Sequence, residues 1–261
     1  MHARITPLPP PPPLAPDWAL FLDIDGTLLD FCASPAEVQV DPAIIRALER
    51  LHERLDGALA LVSGRTLDQI DRLFAPLQLP AAGLHGLQRR DGADAASAPE
   101  SPPSLRQWRD RAQAIVARYP GALVEDKGPA LALHWRGNPG AEPELRSLAE
   151  EALPSLPGFR LQPGDNVVEL RPGGADKGSA IAALLDTDPF RNRRPVFLGD
   201  DHTDEAGFDV VLDRDGIAVL VGDRQPSVAG HWLRDPHAVR AWLLSTARGG
   251  AMSDAIGKVD S

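Results

Sequence analysis

Two aspartates separated by one residue, Asp23 and Asp25, follow a short apolar run and precede Gly26 and Thr27. In an extended chain, residues i and i+2 point the same way, so both carboxylates can converge on one point. Two such carboxylates repel each other unless a cation lies between them or one holds a proton. Both arrangements suit phosphoryl transfer, in which one carboxylate attacks phosphorus and its neighbour protonates the leaving oxygen. The pattern predicts a nucleophile with an acid/base, and the alternative is an ordinary Asp-Gly turn.

A second acidic group lies in residues 199–205, directly after the apolar run 195–198. A hard divalent cation binds carboxylate oxygens and phosphate oxygens together. We therefore predict that Asp200 joins Asp23 on a metal ion. Asp204, about one helical turn further on, could hold a cationic side chain. A solvated acidic loop is the alternative.

Two further segments carry groups that could bind phosphate. Lys177 is predicted to begin a helix, where its charge opposes the helix dipole, and this indicates another task, such as pairing with Asp204 or steadying a phosphoryl group. After another apolar run, the Ser63 hydroxyl, the turn amides at Gly64 and the charge of Arg65 could hold a phosphate oxygen. An exposed surface lysine and an ordinary turn are the alternatives.

These residues need a scaffold that brings distant segments together. Apolar runs alternate with helical stripes on both sides of the chain, which predicts an α/β fold with a doubly wound parallel sheet. Ligands of such sheets bind beyond the carboxyl ends of the strands, where the residues above fall. Strands are predicted at 20–22, 58–62, 195–198 and 217–221, and helices at 42–55, 66–74, 177–185, from 203, and at 236–247.

The alternation stops near residue 90, where 91–103 is rich in Ala, Ser, Pro, Gly and Asp. The following segments read helix, strand, strand, helix, strand, strand, which predicts a small α+β module inserted into the core. The predicted domains are a disordered Pro-rich tail at 1–17, a discontinuous core at 18–90 and 171–247, an inserted module at 91–170 and a loose tail at 248–261.

Composition excludes several classes of protein. The 261 residues are 43% hydrophobic and 25% charged, as in ordinary globular proteins, and carry a formal net charge of −10, which disfavours nucleic acid as a partner. No apolar run approaches the length of a membrane span, and prolines 9–13 stand where a signal peptide would be apolar. A single cysteine, Cys32, permits no internal disulfide. We expect a cytoplasmic monomer.

The order of these motifs resembles the haloacid dehalogenase (HAD) superfamily of phosphatases. The residues within and around these motifs are similar to those of the trehalose-6-phosphate phosphatase family over residues 18–244. The matching segments are Gly-Asp-Asp-x-Thr-Asp-Glu at 199–205, Leu-Val-Ser-Gly-Arg at 61–65, His-Gly at 85–86, Val-Glu-Leu-Arg-Pro at 168–172, Lys-Gly at 177–178, Glu-x-Lys at 125–127 and His-Trp-Arg at 134–136. Trp135 stands where the family pattern has tyrosine, and the Pro-rich tail has no counterpart in the pattern.

The resemblance implies a HAD-like core whose inserted module is a mobile cap over it, and it implies roles for several of the matching residues. Asp23 is the nucleophile and a Mg²⁺ ligand, Asp25 is the general acid/base with its backbone carbonyl on Mg²⁺, and Asp200 completes the metal site. Ser63 and Lys177 hold the phosphoryl group. The predicted substrate-binding residues are Gly64, Arg65, Glu125, Lys127, His134 and Glu169, with Thr27, Asp201 and Asp204 in support.

One face of the predicted module strand 130–136 supports sugar binding independently of the resemblance. Ala130, Ala132, His134 and Arg136 share a face in an extended chain, and small residues leading to polar ones form a floor for a polar ligand. A solvated sheet edge is the alternative.

We therefore predict Mg²⁺-dependent hydrolysis of trehalose 6-phosphate, a small-molecule sugar phosphate, through an aspartyl-phosphate. The alternatives are a capped HAD phosphatase for sucrose phosphate or a monosaccharide phosphate, and a catalytically weak sugar-phosphate sensor.

Overall fold

The computed structural model describes residues 8–30, 39–91 and 100–248, which form eleven strands and seven α-helices. The strands are β1 (Trp18–Leu22), β2 (Leu59–Val62), β3 (Ala81–Gly83), β4 (Gln88–Arg90), β5 (Leu123–Asp126), β6 (Leu131–His134), β7 (Phe159–Gly164), β8 (Val167–Pro172), β9 (Arg194–Gly199), β10 (Ile217–Val221) and β11 (His231–Leu233). The helices are α1 (Pro42–Arg54), α2 (Leu67–Phe74), α3 (Pro103–Val116), α4 (Glu142–Ala152), α5 (Lys177–Leu185), α6 (Glu205–Leu212) and α7 (Pro236–Ala247). Cys32, the 92–99 part of the predicted linker and the terminal residues 1–7 and 249–261 lie outside the described residues.

The larger sheet has the strand order β11-β10-β9-β1-β2-β3-β4, and its strands are parallel except for β4, which is antiparallel to β3. The central strands are apolar and buried along their length, as expected of parallel strands covered on both faces. The predicted α/β class with a parallel sheet is confirmed.

Three strands of this sheet, β3, β4 and β11, were not predicted. Each has three residues, which is too short for an alternating or apolar pattern to stand out from a loop. Their hydrogen bonds to neighbouring strands define them, and their own sequence does not.

Helix caps set where the chain enters α1 and α5. Asp41 accepts a hydrogen bond from Ala43 N (2.7 Å), with Pro42 at the first helical position as predicted. Asp176 accepts from Ser179 N (2.7 Å), and the Ser179 hydroxyl accepts from Asp176 N (2.9 Å). This reciprocal cap begins α5 at Lys177.

The described chain divides into two compact units, one holding residues 8–30, 39–91 and 176–248, the other 100–175. The smaller unit contains an antiparallel sheet of order β5-β6-β8-β7, whose apolar side chains share a core with those of α3 and α4. The predicted boundary between residues 170 and 171 differs from this division. Strand β8 continues to Pro172, and the buried Arg171 donates to Ala175 O (2.9 Å), so residues 171–175 group with the smaller unit.

The segment 8–16 differs from the disordered tail predicted for 1–17. Leu14 is 3% exposed and belongs to the core of the larger unit. Three hydrogen bonds hold the backbone: Trp232 N donates to Pro9 O (3.0 Å), Arg54 Nη2 to Leu14 O (3.3 Å) and Arg193 Nη1 to Pro16 O (2.8 Å). An apolar side chain beyond the proline run anchors a segment whose composition indicates disorder.

Among the described residues, no helix is both long enough and apolar enough to span a membrane.

Candidate active site

Three neighbouring strands of the larger sheet end at predicted site residues. Asp23 follows β1, Ser63 follows β2 and Asp200 follows β9, and β1 lies between the other two strands. Leu22 is in register with both Leu61 and Leu198, so these carboxyl ends lie level. Asp23 N donates to Leu198 O (3.0 Å), which extends the β1–β9 ladder to the aspartate itself.

A buried ion-pair triad forms around Lys177. Its Nζ donates to Asp23 Oδ1 (2.7 Å) and to Asp204 Oδ1 (2.7 Å), and all three side chains are at most 5% exposed. Asp204 Oδ2 in turn accepts from the amides of Asp200 (3.0 Å) and Asp201 (2.9 Å). Both oxygens of Asp204 are therefore occupied, and its place is to anchor Lys177 and the loop after β9.

Thr27 lies between Asp23 and Asp200, the two aspartates whose side chains were predicted to bind metal. Its hydroxyl is 3.1 Å from Asp23 Oδ2 and 2.9 Å from Asp200 Oδ1. A hydroxyl has one proton, so it donates to one carboxylate at a time. The chain reaches this position because Gly26, at a φ of 83°, turns it directly after Asp25.

Burial and crowding of negative charge shift the protonation of this cluster. Burial raises the pKa of Asp23 well above its usual range, opposed by Lys177 and reinforced by Asp204 and Asp200. Burial, followed by the charge of Asp204, raises the pKa of Asp200 to about 6. Burial alone would lower the pKa of Lys177, yet the adjacent Asp204 and Asp23 raise it, so the lysine stays charged.

The cluster fits a hard divalent cation. Oxygens of Asp23, Asp200 and Asp204 lie within 4.8 Å of one another. Three carboxylates and one ammonium carry a formal charge of −2 when ionised. Burial, and after it this excess of negative charge, raises the pKa values of Asp23 and Asp200. Carboxylate oxygens are the ligands that Mg²⁺ accepts. Asp204 accepts from Lys177 and from two backbone amides, whereas Asp23 and Asp200 compete for the single proton of the Thr27 hydroxyl, so Asp23 and Asp200 are the better candidates to hold the ion.

Asp25, the predicted acid/base, is paired with Arg65, a predicted substrate-binding residue. Arg65 Nε donates to Asp25 Oδ2 (2.7 Å) and Nη2 to Oδ1 (2.6 Å), a bidentate ion pair with the guanidinium buried. The sequence placed both residues at the site but did not indicate that they pair.

The turn after β2 is packed against a left-handed turn after β3. Ser63 is buried, and its hydroxyl accepts from Arg65 N (3.2 Å). Leu84 N donates to Arg65 O (2.8 Å) and His85 N to Ser63 O (2.9 Å), with Leu84 and His85 at φ of 50° and 52°. A Cβ at Gly64 would lie 2.6 Å from His85 Nε2, so only glycine fits beneath this ring. His85 matched a family motif but had been assigned no role.

Two residues near the end of the acidic run, Asp201 and Glu205, form structural hydrogen bonds that the sequence did not indicate. Asp201, a predicted supporting residue, accepts from His202 N and caps a short turn before α6. Glu205 pairs with Arg224, whose Nε donates to Asp200 O (3.0 Å). No pattern around Arg224 indicated this contact, since the residue lies 24 positions further along the chain.

Four predicted sugar-binding residues cluster in the smaller unit. Lys127 pairs with Glu169, both almost buried, and His134 Nε2 lies 3.0 Å from Glu125 Oε2. Glu125 and Glu169 flank Ala132 in register across β5, β6 and β8, so they share one face of the sheet. Leu131 and Leu133 are in the core of this unit, on the other face. The structure thus collects the four polar side chains on the face predicted to be polar.

Known proteins match this chain closely. The sequence profile of the trehalose-phosphatase family matches residues 21–231. A probable trehalose-phosphate phosphatase of Sinorhizobium fredii (strain NBRC 101917 / NGR234) is 44% identical over 212 residues, 81% of this chain and 80% of that protein. The trehalose-6-phosphate phosphatase of Escherichia coli (strain K12) is 42% identical over 217 residues, 83% of this chain and 82% of that protein.

The fold agrees with these sequence matches. The crystal structure of a trehalose-6-phosphate phosphatase related protein superposes with a TM-score of 0.75 at 27% identity, over 88% of this chain and 97% of its own. The predicted HAD-like fold and the predicted family are both confirmed. The chain belongs to the trehalose-phosphatase family.

Proposed function

We propose that this protein hydrolyses trehalose 6-phosphate to trehalose and inorganic phosphate. The observation that carries the proposal is the buried cluster of Asp23, Lys177, Asp204 and Asp200 at the ends of β1 and β9. In a family whose relatives are named for this phosphatase activity, that cluster supplies a nucleophile, a phosphate-binding cation and a metal site.

The first step forms an aspartyl-phosphate. A carboxylate oxygen of Asp23 attacks phosphorus, and the bond between phosphorus and the sugar oxygen breaks with its electron pair leaving on oxygen. The carboxyl group of Asp25 donates its proton to that oxygen, which releases trehalose. The buried charge of Lys177 stabilises the negative charge on the transferring phosphoryl group.

The second step returns the enzyme to its starting state. Asp25, now ionised, takes a proton from water as the water oxygen attacks phosphorus. The bond between phosphorus and the Asp23 oxygen breaks, which restores the carboxylate and releases phosphate. The resting ion pair with Arg65 engages both oxygens of Asp25, so Asp25 has to turn away from Arg65 and take up a proton before the first step. The second step returns that proton to Asp25. The predicted phosphate contacts of Ser63 and Gly64 belong to this same proposal.

Mg²⁺ is the proposed cofactor, held by the side chains of Asp23 and Asp200 and by the backbone carbonyl of Asp25. Bound there, it would supply positive charge that offsets the negative charge on the phosphate oxygens. The gathering of three carboxylates within 4.8 Å of one another supports this assignment.

Glu125, Lys127, His134 and Glu169 are the proposed readers of the sugar. Their mixture of donors and acceptors suits the hydroxyls of a disaccharide. At the Lys127–Glu169 pair, a hydroxyl can accept from the ammonium and donate to the carboxylate.

A substrate panel tests the assignment. We expect kcat/KM for trehalose 6-phosphate to exceed that for glucose 6-phosphate and sucrose 6-phosphate by at least about 100-fold, because a site built for hydroxyls rejects partners that leave its polar groups unpaired. Comparable values across the panel would favour a broader sugar phosphatase. Tight binding of trehalose 6-phosphate without phosphate release would favour a sensor.

The nucleophile has its own test. We expect Asp23→Asn to lower phosphate release by at least about 10³-fold in the presence of Mg²⁺, since the amide cannot form the covalent intermediate. Near-normal release by this variant would exclude the aspartyl-phosphate route.

We also propose that the protein acts as a monomer in the cytoplasm. Light scattering of the purified protein would measure its oligomeric state.

A further inference from the structure

We infer that Arg224, held by Glu205, is a positioning residue that fixes the metal-binding pose of Asp200. The inference rests on the proposed metal site and concerns two residues to which the proposed mechanism gives no part. Arg224 lies after β10, and Glu205 is the first residue of α6.

The peptide groups around Asp200 are held from two directions. Asp204 Oδ2 accepts from the Asp200 amide at 3.0 Å, and Arg224 Nε donates to the Asp200 carbonyl at 3.0 Å. These contacts leave the backbone little freedom to rotate about Asp200. The direction of its side chain, and hence of the oxygen facing Thr27 and Asp23, follows from that backbone.

Arg224 is itself held firmly enough to serve as a support. Its Nη2 donates to Glu205 Oε1, and its Nη1 donates to Pro226 O at 2.7 Å. Glu205 Oε2 accepts from Val228 N at 3.1 Å, so both carboxylate oxygens are engaged. Burial opposes ionisation of Glu205, but the hydrogen bonds from Arg224 and the Val228 amide lower its pKa, which keeps the pair charged.

The exposure of the pair separates it from an ordinary surface ion pair. The side chains of Arg224 and Glu205 are 15% and 23% exposed. A surface pair contributes little because both partners stay solvated and mobile. Here one planar guanidinium donates to the Asp200 carbonyl, to Glu205 at the start of α6 and to the Pro226 carbonyl. A lysine ammonium lacks the planar set of donors that makes these three contacts at once.

The test is Mg²⁺ binding by isothermal titration calorimetry without substrate, on the full chain. Residues that orient a metal ligand typically change metal affinity by about 10- to 100-fold when removed. We expect Arg224→Ala to raise the Kd for Mg²⁺ within that range. Arg224→Lys, which keeps the charge but loses the fork, should fall between Arg224→Ala and the wild type.

Arg90→Ala is the matched control. Arg90 is also largely buried, forms a bidentate pair with Asp71 and donates to Leu79 O at 3.0 Å, but none of these partners is a metal ligand. We expect Arg90→Ala to lower the melting temperature as Arg224→Ala does and to leave the Kd for Mg²⁺ within about twofold of the wild type.

Two results would overturn the inference or its basis, and they differ. If the wild type binds Mg²⁺ and folded Arg224→Ala binds it equally well, Arg224 is merely structural. If the wild type binds no Mg²⁺, the proposed metal site fails first. Should Arg224→Ala not fold, Glu205→Gln decides, because it keeps the size of the side chain and weakens only the support. We expect a weaker Mg²⁺ affinity for it, and an unchanged one contradicts the inference.

Discussion

At the scale of single residues, each unit contains a buried or almost buried lysine that is paired with at least one carboxylate. Lys177 is enclosed by Asp23 and Asp204 and remains charged in a buried position. Lys127 and Glu169 form an almost buried pair on the sheet of the smaller unit. Removing one member of such a pair leaves an uncompensated charge, so single substitutions at these positions should have effects well above those of surface charges.

Mg²⁺ binding should weaken in acid because Asp200 must be ionised to act as a ligand. Its pKa is raised from 3.8 to about 6, so the ionised form is populated above pH 6 and lost below it. We expect Mg²⁺ affinity to be about tenfold lower at pH 5.0 than at pH 7.5, measured by calorimetry at constant ionic strength. An affinity that does not change with pH would contradict the assignment of Asp200.

The same raised pKa of Asp200 affects folding. Because the folded state holds this proton more tightly than the unfolded state, the metal-free protein loses stability as the pH rises from 3.8 towards 6.

Glu169→Gln should impair recognition of the sugar and spare the phosphate chemistry. The variant keeps the shape of the side chain but loses a charged hydrogen-bond acceptor, which is worth about 1.5–3 kcal/mol, or roughly 10- to 150-fold in kcat/KM for trehalose 6-phosphate. Hydrolysis of p-nitrophenyl phosphate should change by less than about twofold. Steady-state kinetics with both substrates measure the difference.

Asp126→Asn is the control for this prediction. Asp126 adjoins Glu125 on β5, is exposed, and pairs with Arg109 at 3.0 Å. Next-door residues of a strand point to opposite faces, so this change should affect neither substrate. An equal effect of both variants on both substrates would argue against a sugar-reading face.

At the scale of elements, the site is assembled from strand ends and the turns that follow them. Sheet order places β9, β1 and β2 side by side, and caps begin α5 at Lys177. The left-handed turn at Leu84 and His85 joins two of these pieces, since it bonds the backbone of the Ser63–Arg65 turn while Gly86 packs on Asp176. A strained turn of non-glycine residues persists only where its surroundings hold it.

Gly86→Ala should therefore damage the site as well as the fold. Gly86 has a φ of 101°, and an added Cβ would lie 2.7 Å from Asp176 O, next to Lys177. We expect the free energy of unfolding to fall by more than about 2 kcal/mol, as strain and collision add, and we expect kcat to fall. Urea unfolding and phosphate release measure the two effects.

Gly222→Ala separates strain from collision. Gly222 has a φ of 87°, but an added Cβ there meets nothing within 4 Å. Its loss of stability should be about 1 kcal/mol, from the left-handed backbone alone. Equal losses for the two variants would contradict the role given to the contact with Asp176.

At the scale of the whole molecule, one arginine of the larger unit binds segments from both ends of the described chain. Arg54, at the end of α1, donates to Leu14 O near the N-terminus and to Thr246 O in α7 at 2.6 Å. Leu14 fills the core beneath this contact. The segment 8–16 thus takes part in the fold of the larger unit.

Leu14→Ala should cost stability as a core substitution does. We expect the free energy of unfolding to fall by about 2–4 kcal/mol, because a fully buried leucine leaves a cavity when truncated. Leu8→Ala, at a position 37% exposed in the same segment, should change it by less than about 0.5 kcal/mol. Chemical denaturation of both variants measures this, and equal, small effects would restore the prediction of a disordered tail.

Local pattern sufficed for most of the fold. The alternation of apolar runs with helical stripes predicted the parallel core, and the break in that alternation predicted the α+β elements from α3 to β8. The spacing of Asp23 and Asp25, the acidic run from Asp200 and the oddly placed Lys177 indicated phosphoryl chemistry. These features could be predicted because secondary structure and the choice of ligand atoms depend on neighbouring residues.

Tertiary structure decided which of these groups meet. Lys177, at the start of α5, reaches Asp23 across 154 positions of sequence. Thr27 reaches Asp200 across 173, a contact that follows from β1 and β9 being neighbours in the sheet. The pairing of Asp25 with Arg65 and the support of Asp200 by Arg224 likewise depend on strand order, and the burial of Leu14 depends on the packing of the core. Strand order is set by packing over the entire core, and no short stretch of sequence carries that information.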